Sequence, residues 1–187
     1  MTQTEPTDLD LWAAVAGGDE TAFGVLFDRH SRAVYNHAFR LCGAWSVAED
    51  VTQATFLVAW RKRGQVRLVH GTALPWLLVV AGNYVRTEWR SARRRRALLG
   101  RVPVAHDPDP ADDVAGRLDD ERRMRDVLAA VRRLPRAERE AVALCLWSGV
   151  AYPEAAAVLG ITEVAVRSRV SRARARLAKL LAKEDQP

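Results

Sequence analysis

The segment from Tyr152 to Leu181, YPEAAAVLGITEVAVRSRVSRARARLAKLL, constrains the fold more than any other part of the chain. It reads as a short helix, a tight turn and a long basic helix. Tyr152 to Leu159 is alanine-rich, and Gly160 suits the left-handed conformation that commonly ends a helix. Thr162 is placed to cap the next helix through its hydroxyl. On that second helix Val166, Val170, Ala173 and Leu177 fall in one stripe at helical spacing. Ser168, Ser171 and Arg172 lie on the other side, flanked by Arg167, Arg169, Arg174 and Arg176. One buried edge and an outer face of small polar residues and arginine suit a DNA major groove. The competing reading is a solvated basic helix. Against it, Arg167 to Lys179 carries six basic residues and no acid, whereas helices charged for solubility mix signs.

Charge is distributed unevenly. The 29 Lys+Arg exceed the 23 Asp+Glu, for a formal charge of +6. Arg86 to Arg101 holds seven arginines and one acid, Glu88, whereas Asp107 to Glu121 holds seven acids and one arginine. Two basic patches separated by an acidic stretch suggest two polyanion contacts joined by a segment that is not itself a contact. Cys42 and Cys145 sit in apolar helical patterns and read as buried free thiols. Neither they nor His30, His37, His70 and His106 show metal-ligand spacing, so no metal or other cofactor is expected. The opening MTQTEPTDLD is no signal peptide, and the run LPWLLVVAG is too short to span a bilayer. A soluble, reduced, cytoplasmic protein without membrane insertion is expected.

The remaining pattern is helical nearly throughout, so the expected class is all-α. Leu9 to Ala16 forms a short helix stopped by Gly17-Gly18. Asp19 caps a long second helix closed by Gly43, with Phe23, Leu26, Phe27, Val34 and Phe39 or Leu41 as core positions. Ser46 and Glu49 form a capping-box pattern for a third helix carrying Val51, Phe56, Val58 and Trp60. Residues 61–71 read as a glycine-bounded basic loop, and Thr72 to Leu99 as a fourth helix. Residues 102–116, rich in proline and aspartate, have linker composition. Helices over Leu118 to Leu134 and Ala137 to Trp147 then precede the helix-turn-helix. The expected division is one helical domain over 1–101, a flexible acidic linker over 102–117, and a second helical domain over 118–187.

Four segments occur in an order that resembles a known family: AEDVTQATFLVAWR (48–61), LPWLLVVAGNYVRTEWRSARRRR (74–96), LPRAEREAVALCLWSGVAYPEAAAVLG (134–160) and VRSRVSRARARL (166–177). Together they resemble a bacterial sigma factor of the extracytoplasmic-function (ECF, group 4) branch of the sigma-70 family. The resemblance implies a non-enzymatic promoter-specificity subunit with a sigma-two-like and a sigma-four-like domain. It implies core RNA polymerase, through the β′ clamp and β flap, and promoter DNA as partners, with an anti-sigma factor as a common inhibitor.

Carried onto this sequence, the resemblance assigns core-polymerase binding to Glu49, Asp50, Gln53, Thr55 and Phe56. It assigns contacts with the minus-ten element to Arg61, Lys62, Arg63, Gln65 and Arg67 in the loop. Asn83, Arg86, Arg90, Arg93 and Arg94 on the fourth helix join them. The loop would hold a base flipped from the duplex, on which arginine stacks as well as it pairs with phosphate. Trp89 has two readings, contact with an unstacked base or packing against the third helix, and packing is favoured. Contacts with the minus-thirty-five element fall to Arg167, Ser168, Ser171 and Arg172 for bases, and to Arg174 and Arg176 for phosphates. The chain departs from the family's usual pattern at Gly82, Thr87, Ala155, Val164 and Ala165, which bears on the exact promoter contacts. A dimeric, free-standing helix-turn-helix regulator is the rival reading. A nucleic-acid-processing enzyme is a weaker one, because no paired carboxylates, nucleophile–base set or phosphate loop is present.

Overall fold

The computed structural model describes residues 5–68, 70–99 and 127–184, with the side chains of all but 92, 93, 95–99, 183 and 184. The segment read as a linker, 102–117, lies outside the described residues, as does most of the helix expected to begin at Leu118. Among the described residues every regular element is helical: α1 (Asp8–Ala16), α2 (Glu20–Cys42), α3 (Trp45–Lys62), α4 (Leu74–Leu99), α5 (127–132), α6 (Arg136–Ala141), α7 (Tyr152–Leu159) and α8 (Glu163–Glu184). A π-helical stretch, Val142–Trp147, continues α6 without a break.

Local chemistry explains most of the boundaries. Asp19 accepts a hydrogen bond from the Ala22 amide at 3.0 Å and starts α2, and Gly43, at φ 71°, ends it. Gly160, at φ 65°, ends α7, and the Thr162 hydroxyl accepts from the Ala165 amide at 3.2 Å to start α8. The capping box expected at Ser46 and Glu49 does not form. Helix α3 already begins at Trp45, after Ala44, which makes no side-chain cap bond. The Trp45 ring stacks on Phe39 at 4.2 Å and on Tyr35 at 6.1 Å, so aromatic docking onto α2 sets this start. The fourth helix begins at Leu74 rather than Thr72, because Thr72 turns its hydroxyl toward Asp8 and the Leu74 amide. Arg61 and Lys62 belong to the last turn of α3, not to a loop. Phe27, expected in the core, is 40% exposed and meets Phe56 edge-on at 4.7 Å.

The N-terminal half is a bundle in which α2 packs on α1, α3 and α4. Its polar anchor is Asp8. This buried carboxylate accepts hydrogen bonds from Arg29 (2.8 Å), Thr72 (3.1 Å) and the Ala73 amide (2.9 Å), and pairs with His30 at 2.7 Å. Burial alone would raise its pKa. The Ala73 amide, Arg29 and His30 outweigh that and hold it below the usual aspartate value. One side chain thereby ties α1, α2 and the segment leading into α4.

The two halves do not keep separate cores. Leu26, Leu77, Leu78 and Val85 from the first half share one buried cluster with Leu144, Ala155, Val166 and Val170 from the second. A smaller cluster of Val131, Leu134, Val142 and Ala173 lies wholly within the second half. Polar contacts reinforce the junction. His37 Nδ1 lies 2.8 Å from the Ser148 hydroxyl, and Arg132 donates to the Cys42 carbonyl at 2.7 Å. Arg40 donates to the Trp147 carbonyl at the end of the π-helical stretch. The wider π turn delivers that carbonyl and Ser148 to α2.

Candidate nucleic-acid interface

Helix α8 buries one edge and exposes the other. Val166, Val170 and Ala173 are at most 2% exposed and Leu177 is half-buried, which places the predicted stripe in the core. Fully burying a valine contributes about 1.5–3 kcal/mol, so this edge fixes the rotation of the helix. Arg167, Ser171, Arg172, Arg174 and Arg176 are exposed on the remaining surface, and Ser168 is half-buried. Arg167 pairs with Glu163 at 2.8 Å and lies 5.5 Å over the Tyr152 ring of α7. Arg172 donates to the Ser168 hydroxyl at 2.7 Å. Arg172 and Arg176, expected to occupy different sides of the helix, converge on one carboxylate, Glu138 of α6, at 3.5 and 3.1 Å. Val164 and Ala165 do not disturb the start of the helix, because Thr162 caps it.

The second basic region is differently placed. Arg61, Lys62, Gln65 and Arg67 are exposed around the turn after α3. Arg63 is not free. Its guanidinium lies 4.3 Å over the Trp60 ring and donates to the Trp60 carbonyl at 2.8 Å, so it is folded back on α3. On α4, Asn83, Arg90 and Arg94 are exposed, while the side chain of Arg93 lies outside the described residues. Arg86 is half-buried and reaches Glu140 of α6 at 2.7 Å while also donating to Asn83. Trp89 is half-buried and packs against the core. Arg132 and Arg139 from the other half lie 5.4 and 5.2 Å over its ring. A cavity of about 250 Å³ opens beside this junction, lined by His37, Leu41, Gly82, Trp89, Arg139 and Val158 among others.

On α3, Glu49, Asp50 and Gln53 form an exposed polar face. Thr55 and Phe56 do not belong to it. Thr55 is 0% exposed and bonds the Val51 carbonyl, and Phe56 is 4% exposed among Phe23 and Phe27. The sequence reading missed Leu57, which is 49% exposed and extends the same face one turn beyond Gln53. Its spacing of four residues from Gln53 was the available signal. Among the described residues no group of three or more His, Cys, Asp or Glu is placed to hold a metal ion. No described helix is long and apolar enough to cross a membrane.

Known proteins share this arrangement. The family description Sigma-70 region 2 matches residues 26–95, and Sigma-70, region 4 matches residues 124–177. The RNA polymerase sigma factor NccH of Alcaligenes xylosoxydans xylosoxydans is 34% identical over 188 residues, covering 95% of this chain and 97% of NccH. The chain belongs to the extracytoplasmic-function group of the sigma-70 family. It is an alternative RNA polymerase sigma factor rather than a free-standing helix-turn-helix regulator. A solved structure of CnrH with the cytosolic domain of CnrY superimposes with TM-score 0.70 at 30% identity, over 96% of this chain and 99% of that one. The sigma factor RpoE of Bartonella quintana, solved with the anti-sigma factor NepR, gives TM-score 0.63 at 29% identity, over 88% and 98%. The matched families are transcription initiation factors, and no enzyme family is indicated. In this sigma factor, region 2 thus supplies α3 and most of α2 and α4, and region 4 supplies α5 to most of α8.

Proposed function

We propose that this sigma factor reads the upstream promoter element through the outer face of α8. Arg167, Ser168, Ser171 and Arg172 face bases, and Arg174 and Arg176 face phosphates. The observation that carries this reading is the division of α8 into a buried Val166–Val170–Ala173 edge and an exposed arginine-rich surface. Arginine reaches guanine O6 and N7 together, whereas phosphate contacts add affinity without sequence information. Arg61, Lys62, Gln65 and Arg67, with Asn83, Arg86, Arg90 and the Arg93–Arg94 pair, serve the downstream element and its opened strand. Glu49, Asp50, Gln53 and Leu57 form the face that meets the polymerase clamp, with Thr55 and Phe56 supporting it from inside.

The protein acts in the cytoplasm, has no catalytic activity of its own, and is restrained by an anti-sigma factor, as RpoE is bound by NepR. In vitro transcription with core polymerase across a promoter library tests the reading. The isolated chain should bind promoter duplex weakly, and core polymerase should add strong, sequence-selective opening. Tight operator binding by the isolated chain, unchanged by core polymerase, would overturn it.

A further inference from the structure

Glu138 stands in the first turn of α6, and its side chain is only 6% exposed. A buried carboxylate is costly unless charge partners and dipoles compensate it. The positive N-terminal end of α6 supplies one part. The described ion pairs supply the other: Arg172 Nε at 3.5 Å from one oxygen and Arg176 Nε at 3.1 Å from the other. Neither contact is an aligned hydrogen bond, so the attraction of Glu138 to both arginines is ionic. Both arginines nevertheless keep 56% of their side-chain surface exposed.

The geometry has a chemical consequence. A guanidinium held at Nε keeps the edge formed by its two terminal nitrogens for another acceptor. In Arg172 one terminal nitrogen, Nη1, already donates to the Ser168 hydroxyl at 2.7 Å, which fixes the plane of the group and leaves Nη2 and the second Nη1 hydrogen for another acceptor. We propose that Glu138 is a positioning residue for promoter reading. It holds Arg172 and Arg176 by Nε and turns their terminal nitrogens toward DNA, setting which upstream base pair Arg172 reads. The carboxylate also offsets part of the positive field of α8, which lowers affinity for arbitrary sequences and leaves discrimination to the aligned contacts. This inference rests on the reading of α8 as the upstream DNA reader.

The test uses the full chain with core polymerase on a library varied through the upstream element, with salt titrations on cognate and unrelated duplexes. The variants are Glu138→Gln, Glu138→Asp, Arg172→Ala and Glu138→Gln combined with Arg172→Ala. Glu138→Gln is expected to lower discrimination at one upstream position by about fivefold. It should also bind unrelated duplex more tightly, with a salt slope steeper by up to about one unit. Glu138→Asp, which keeps the charge, should retain most of the discrimination. The double variant should discriminate no worse than Arg172→Ala alone. An equal loss of binding to all sequences in Glu138→Gln overturns the inference. So does a loss in Glu138→Asp as complete as in Glu138→Gln, or a double variant whose effects add. If Arg172→Ala leaves every upstream preference intact, the reading of α8 falls and this inference with it. If Arg172→Ala changes a preference and Glu138→Gln does not, only the role of Glu138 falls.

Discussion

Helices α4 and α8 are both long and basic, yet they present their arginines in opposite ways. On α8, Arg167, Arg172 and Arg176 pair with acids of their own half, Glu163 and Glu138, and remain more than half exposed. On α4, Arg86 is three-quarters buried against Glu140 of the other half, and Trp89 lies beneath Arg132 and Arg139. If α8 is the upstream reader and α4 part of the downstream one, as proposed, the first is open while part of the second is covered by region 4. Charge pattern marks both helices as partners for phosphate. Which of them is available is decided by side chains more than forty residues away in sequence, such as Glu140 for Arg86. Under the proposed function, a downstream contact of Arg86 would require its bridge to Glu140 of the other half to open.

The shared core makes the largest prediction. If the halves form one cooperative unit, removing the Asp8 anchor should destabilise both. Asp8→Ala leaves Arg29 and His30 without their buried acid and should cost about 3–5 kcal/mol. Hydrogen exchange should show lost protection in α8 as well as in α1 and α2. Protection confined to its native level in α8, with α1 to α4 melted, would show that the halves are energetically separate and break the comparison.

His37 supplies a pH-dependent test of the same junction. Burial, with a smaller contribution from Arg40, lowers its pKa to about 4, and a hydrogen bond with the Ala143 backbone only partly offsets this. A histidine depressed in the folded state is neutral there, so its contribution is intact above about pH 6.5. It is lost as pH falls toward 4, by up to about 3 kcal/mol. Urea unfolding at pH 7.5 and 4.5 should show this loss in the native chain and a smaller one in His37→Gln. An identical pH dependence in the two chains would remove His37 from the junction.

The comparison also separates what was legible in the sequence from what was not. Caps are local chemistry, and Asp19, Gly43, Gly160 and Thr162 act where the sequence placed them. The stripe Val166–Val170–Ala173 is periodic and lies in the core as read. The box at Ser46 and Glu49 failed because stacking of Trp45 on Phe39 outweighed a local preference. The resemblance assigned Phe56 to docking, yet Phe56 is 4% exposed and meets the rings of Phe23 and Phe27. The Asp8 anchor joins residues 21 to 65 positions apart, and the Glu138 pairs cross from α6 to α8. No spacing rule reports such contacts. The family resemblance supplied the order of the regions, but it did not supply the face on which they meet.

A smaller effect is expected from the Arg86–Glu140 bridge, whose partners are 25% and 29% exposed. Glu140→Ala should cost about 1 kcal/mol of stability, because Arg136 also loses its acid. The more telling readout is binding of single-stranded downstream promoter DNA by the free chain. Releasing Arg86 should raise that affinity about two- to fivefold, as expected from a shift of about that energy between closed and open populations. An unchanged affinity would mean that the junction does not compete with DNA at Arg86.

The smallest stability effect should come from Arg167, and its smallness is the point. Its bridge to Glu163 is an exposed pair four residues apart on one helix, which contributes about 0.3–0.5 kcal/mol. Stacking over Tyr152 at 5.5 Å adds a comparable amount. Arg167→Gln should therefore leave the unfolding midpoint almost unchanged while weakening selective transcription from the cognate promoter. Arg86→Gln should change both stability and promoter opening, because that side chain holds the junction and is proposed to contact DNA. Measuring both variants by thermal unfolding and by transcription with core polymerase sets the two helices side by side. Equal stability losses would mean that α8 is as deeply involved in holding the fold as α4. Its exposed arginines would then be structural supports rather than a surface kept free for DNA.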